Sequence, residues 1–88
     1  MKLVIGGTRQ IEVYKSTLLA VKNSKLYNEF KNAKTGPGAI FVNRDGRIFE
    51  HMINFLRNDF KYAVFDSQQQ EGQFKLELDF WGIPLKKP

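Results

Sequence analysis

The chain contains no cysteine. That excludes a disulfide scaffold and every thiolate zinc site, and it fits a reducing, intracellular setting, so a cytoplasmic location is expected. Its one histidine is His51, which rules out a His/Cys dyad and any multi-histidine metal centre. No apolar run approaches the ~20 residues of a membrane-spanning helix, and the N-terminus lacks a signal-peptide pattern; direct membrane insertion is not expected. Neither Gly6-Gly7-Thr8 nor Thr35-Gly36-Pro37-Gly38 runs on into the GK[ST] or G-x-G-x-x-G sequence that cradles phosphate. Ser16, Ser24 and Ser67 lie in cap or loop contexts rather than in a G-x-S-x-G turn. Asn43-Arg44-Asp45-Gly46 offers one acidic residue where a calcium loop needs several at alternate positions. These absences predict no catalytic residue, no metal and no cofactor.

What is present is an aromatic-rich chain of 88 residues, 42% hydrophobic, with eight Phe, three Tyr and one Trp. That suffices for one domain spanning residues 1–88 and for a genuine core. A chain this short buries only roughly 60–65% of its unfolded surface, so some sheet edge or helix face is expected to stay uncovered, and self-association is a common way to cover it. The net charge of +5 is uneven. Residues 1–38 carry Lys2, Arg9, Lys15, Lys22, Lys25, Lys31 and Lys34 against two Glu, whereas residues 39–88 balance seven basic against seven acidic side chains. The excess lysines are spread singly, without aromatic interleaving or a recognition helix, and read as a solvated face rather than a nucleic-acid site.

Leu3-Val4-Ile5, Gly6-Gly7 and then Ile11 and Val13 predict a β-hairpin, the glycines supplying the positive φ of a tight turn. Ser16 or Thr17 can cap a short helical segment over Leu18-Leu19-Ala20-Val21. Ser24 can cap a second helix over Lys25–Lys31, with Leu26, Tyr27 and Phe30 on one face. After the loop at residues 35–38, Ala39–Val42 has the length and character of a strand. Asp45 or Asn43 then caps the clearest helix, Arg47–Asn58. There Ile48, Phe49, Met52, Ile53, Phe55 and Leu56 fall on one side and Arg47, Glu50, His51, Asn54, Arg57 and Asn58 on the other. Phe60, Tyr62 and Val64 alternate, suggesting extended chain. From Phe74 to Trp81 the spacing fits a strand or a helix. The Leu, Lys and Glu content with Gly82 and Pro84 behind favours a helix, one expected to be buried on more than one side, with Phe80 and Trp81 in the core.

Read together, these segments resemble the BTB/POZ domain of the potassium-channel tetramerisation type. The resemblance runs from Val4-Ile5-Gly6-Gly7-Thr8-Arg9 through Ser16-Thr17-Leu18-Leu19 and is strongest at Gly38-Ala39-Ile40-Phe41-Val42-Asn43-Arg44-Asp45-Gly46. It continues at Phe49, Ile53 and Asn54-Phe55-Leu56-Arg57 and closes at Glu77-Leu78-Asp79-Phe80-Trp81-Gly82-Ile83. It implies an α+β fold, a small, mainly three-stranded sheet packed with helices, and it settles the last element as a helix. It also implies homo-oligomerisation in rings of four or five through largely polar faces. In voltage-gated potassium channels such a module sets subunit partnership on the cytosolic side. In many soluble relatives it is an adaptor that brings a cullin-type ubiquitin ligase to its substrate.

Two departures from the family pattern are visible. Many channel members bind an interfacial zinc through His-Cys and Cys-Cys pairs, and residues 58–75 hold neither His nor Cys, so no zinc is expected. Lys22 stands where the family often has Pro. Glu77–Ile83 looks more like the channel members than the adaptors. The resemblance places the assembly contacts in the hairpin and the turn after the third strand, at Thr8, Arg9, Glu12, Asn43, Arg44 and Asp45. Arg44 is the residue expected to pair with a carboxylate across subunits, while Asp45 is equally a plain helix cap. Helical geometry adds Arg47, Glu50, His51, Asn54 and Arg57 as a possible partner-facing side.

Overall fold

In the computed structural model, which describes residues 1–7, 9–61 and 65–88, the Gly6-Gly7 pair reverses the chain between two antiparallel strands. These are β1 (Lys2–Ile5) and β2 (Arg9–Glu12), with Leu3 opposite Ile11 and Ile5 opposite Arg9. β3 (Ala39–Val42) joins the other side of β1 in parallel, Leu3 opposite Ile40 and Ile5 opposite Val42, so the sheet order is β2-β1-β3. A parallel partner requires a long crossover, and α1 (Lys15–Leu18) and α2 (Lys25–Phe30) occupy it. The period of two in a strand sends Leu3, Ile5 and Ile11 into the core. Lys2, Val4, Gln10, Glu12, Ala39 and Phe41 share the opposite face, and none of them is buried.

The covered face packs against α3 (Gly46–Arg57), which α4 (Gln68–Trp81) backs in turn. All six apolar residues expected on one side of α3 are buried. The aromatic centre is built edge-on: Phe49 meets Trp81 with ring centroids 5.8 Å apart, and Phe55 meets Phe74 at 5.4 Å. Each such side chain contributes about 1.5–3 kcal/mol on burial.

The helix ends show where local chemistry agrees with the expectations and where it does not. Ser24 caps α2, accepting from Tyr27 N–H at 3.0 Å, and Asp45 rather than Asn43 caps α3. α1 departs from expectation: it begins at Lys15, with Ser16 and Thr17 inside it and Tyr14 at its N-cap without a side-chain bond. The reason is that the hairpin continues to Val13, whose N–H donates to Met1 C=O at 2.9 Å, so the helix must start immediately afterwards. α4 is a helix that starts before Phe74, with Gln68, Gln69 and Gln70 in its first turn. Ser67 Oγ accepts from Gln70 N–H, while the Gln70 side chain reaches back to Asp66 N–H at 3.1 Å, a variant of the capping box. Gly82, at φ +71°, ends it as Ile83 N–H returns to Leu78 C=O.

Two expectations are corrected. α4 buries one side only, through Phe74, Glu77, Leu78 and Trp81; Leu76 and Phe80 face outward, because α3 and α2 contact a single stripe. Ile83 is buried, but beyond the helix stop. Phe60 does not begin an extended stretch: Asp59 and Phe60 are both left-handed, and the Phe60 ring packs edge-on against Phe55 at 5.3 Å. Tyr62 and Val64 lie outside the described residues.

Candidate functional site: a charged turn with apolar flanks

The turn between β3 and α3 is fastened from three directions. Asp45 Oδ1 accepts the Arg47 and Ile48 N–H groups at 3.0 and 3.2 Å, satisfying two free donors of the first helical turn. The hairpin lies directly against it. A Cβ on Gly6, at φ +64°, would sit 2.8 Å from Arg44 O, and one on Gly46 would sit 2.7 Å from Arg9 Cβ. Only glycine at both positions lets the two turns meet.

Arg44 is the third fastening. Its Nε and Nη2 donate to Glu77 Oε2 and Oε1 at 3.0 and 2.6 Å, the two-pronged geometry that guanidinium and carboxylate share. Glu77 is 4% exposed, and its Oε2 also accepts Trp81 Nε1–H at 2.8 Å. The hydrogen bonds it donates to Glu77 hold the Arg44 pKa above its ordinary value, outweighing partial burial, and the Glu77 charge adds to them. The guanidinium lies 3.8 Å from the centroid of Phe80, whose ring also meets Lys25 Nζ at 5.1 Å. The carboxylate partner of Arg44 in this chain is therefore Glu77, 33 residues away on α4.

The other candidate residues separate into groups. Arg9 reaches Glu50 at 2.7 Å, tying β2 to α3. With Arg44, Asp45 and Arg47, Arg9 lines a cleft of about 400 Å³ beside Gly6 and Gly46. Glu12 lies at the far end of β2, where the Arg57 guanidinium donates to its backbone C=O and to Asn54 Oδ1. His51 stacks edge-on against Phe65 with centroids 5.1 Å apart, and Asn43 is exposed. Thr8 lies outside the described residues. The polar side of α3 is thus partly consumed within the molecule, since Glu50 and Arg57 hold the hairpin.

Sequence reasoning did not select Tyr14, Phe41, Leu76 or Phe80, four large hydrophobic side chains left exposed, or Glu77, which holds the turn. Phe41 was legible in principle: in a four-residue strand with Ile40 and Val42 facing inward, it must face outward. Among the described residues no cluster of three His, Cys, Asp or Glu side chains gathers as metal ligands, and no helix is long and apolar enough to cross a membrane.

A turn fastened by Glu77 and the α3 N–H groups, with exposed aromatics beside it, has the features of a small protein-interaction module. The BTB/POZ domain family model matches residues 1–87, and the chain belongs to that family, in its potassium-channel tetramerisation type. Its members are protein–protein interaction modules that self-associate.

Proposed function

We propose that this domain assembles with copies of itself into a closed ring of four or five, through the hairpin and the Asn43-Arg44-Asp45 turn, as the oligomerising part of a cytoplasmic scaffold or cullin-type ubiquitin ligase adaptor. The observation that carries the reading is the pre-fixed turn. Arg44 and Asp45 are locked by Glu77 and by the α3 N–H groups before any partner arrives, so little side-chain freedom remains to be lost on docking. Directional polar contacts of this kind set register and subunit number more than affinity. Light scattering on the purified domain tests it: a mass of four or five chains supports the ring, and a monomer at every concentration refutes it. A pull-down with a cullin N-terminal region tests the adaptor role, which absence of binding at tens of micromolar would remove. The second reading is the cytosolic tetramerisation domain of a voltage-gated potassium channel, favoured by the Glu77-Leu78-Asp79-Phe80-Trp81-Gly82-Ile83 stretch. A mass of four chains that does not bind the cullin supports it, and five argues against it.

A further inference from the structure

We infer that the free edge of β3 takes up an extended, acidic segment of a different protein, which adds a strand to the sheet and seats an aromatic side chain in the groove beside it. The order β2-β1-β3 gives β3 one neighbour only among the described strands. Every second backbone N–H and C=O of Ala39–Val42 therefore points away from β1. Along that edge runs a groove of about 310 Å³, bordered by Ile40, Phe41, Val42 and Asn43 in succession. Side chains of a strand alternate between faces, so four consecutive residues can border one groove only from the strand's edge. Phe30 (4% exposed) and Trp81 (5%) form its floor, and Phe41 (76%) and Phe80 (42%) stand open beside it. Backbone pairing on an edge, with pockets for alternate side chains, is how sheets capture extended peptides.

The charges around the groove select the partner. Lys25 Nζ lies 5.1 Å and the Arg44 guanidinium 3.8 Å from the centroid of Phe80, so cations flank the exposed ring. Arg44 is paired with the buried Glu77, and the uncompensated charge comes from the α2 side. Between Val13 and Arg44, Glu29 is the only acidic residue. It lines the groove, and its contact with Lys25 is a loose 3.9 Å. Lys31 and Lys34, which follow the lining residues Phe30 and Ala33, are exposed as well. Asp79 on α4 is exposed but does not line the groove. Carboxylates on the arriving segment complement this basic side, whereas a second copy of the chain, with its net charge of +5, brings the wrong sign. Aromatic walls suit an aromatic anchor, since ring pairs add to the area they bury. The ring reading is not required here. β2 of the hairpin forms the opposite edge of the sheet, and only Asn43 and Arg44 belong to both surfaces.

The probe is a short labelled peptide alternating phenylalanine with glutamate, titrated with the wild-type domain in fluorescence polarisation. It is expected to bind, and to bind more weakly as salt rises. Counterparts with lysine for glutamate, or alanine for phenylalanine, should bind about tenfold more weakly. N-methylation of alternate amides, which blocks strand pairing, should abolish binding. Phe41→Glu should weaken it about tenfold, and Lys25→Glu with Lys31→Glu should reverse the preference in favour of the lysine peptide. All three positions are exposed, circular dichroism confirms that the variants fold, and their masses in light scattering should match the wild type. No binding at about 1 mM, equal binding of the counterparts or of the N-methylated peptide, or full binding by Phe41→Glu would overturn the inference. A changed mass in Phe41→Glu would make a second copy the occupant and overturn it too, leaving self-association intact. A monomeric wild type that binds the peptide would remove the ring reading and leave this one standing.

Discussion

Replacing Arg44 with alanine is expected to destabilise the domain by about 3 kcal/mol, mainly because it strands a charge. Glu77 is buried in the wall of α4 and receives three hydrogen bonds, two from Arg44 and one from Trp81. Without the guanidinium, a full negative charge would be left with one indole N–H. Breaking a buried pair from one side costs roughly 3–5 kcal/mol, and the partly exposed position of Arg44 admits water, which puts the expected loss at the low end. Glu77→Gln is a milder change: the amide oxygen still accepts from Trp81, and the guanidinium can turn to solvent, for about 1 kcal/mol.

The decisive measurement is the pair. Arg44→Ala with Glu77→Gln should be more stable than Arg44→Ala alone by about 1–2 kcal/mol, since the second substitution removes the stranded charge. Urea unfolding followed by Trp81 fluorescence, at one low protein concentration so that assembly does not enter, measures all four species. In a domain of this size each kcal/mol moves Tm by about 4–8 °C. A double variant no more stable than Arg44→Ala would refute the reasoning and assign the effect of Arg44 to its packing over Phe80.

Other outcomes follow from the same geometry. Gly6→Ala should cost about 2–3 kcal/mol, from the left-handed backbone plus the 2.8 Å approach to Arg44 O. Gly7→Ala, also at positive φ but facing open space, should cost about 1 kcal/mol; equal losses in chemical denaturation would contradict the proposed close approach. Asp45→Ala removes two bonds to the α3 terminus and should cost about 1 kcal/mol, with the far-ultraviolet spectrum otherwise intact. At Asp59, the hydrogen bond and charge of Lys87 hold the carboxyl below its ordinary value. Folding therefore favours the charged form: the contribution is complete above the unfolded carboxylate pKa of about 4 and is lost as pH falls through the lowered folded value. Because the pair is exposed, salt should weaken it. An Asp59 midpoint at or above the free value in a carboxylate NMR titration would contradict this.

The fold was legible wherever one local signal sufficed. The glycine pair, the β-branched flanks and the 3.6-residue spacing of α3 each point to one structure, and each forms. Misreadings arose where two elements compete for the same residues. Ser16 and Thr17 are good caps in isolation, but pairing of Val13 with Met1 leaves the chain no room to use them. Leu76 and Phe80 have the spacing of a buried stripe, yet α4 has neighbours on one side only, and no local pattern states how many sides a helix will have covered. The Ser67-x-x-Gln70 cap stands in the sequence too, but the apolar spacing placed the last helix only from Phe74, six residues after its true start.

Arg44 shows why the candidate site was harder to read than the fold. The residue type and the turn pointed to a carboxylate partner, and the partner is there, but 33 residues along the same chain. That internal pair changes what Arg44 contributes to assembly. A free arginine at an interface would lose side-chain freedom and hydration when a neighbour arrived; this one has already given up much of both to Glu77 and Phe80. What it presents outward is a fixed cationic face bordering three exposed apolar side chains. If the proposed ring forms through this turn, Arg44→Lys, which cannot keep the two-pronged bond to Glu77, should loosen its stoichiometry in light scattering before it weakens the assembly; an unchanged mass distribution would contradict a role for the fixed turn.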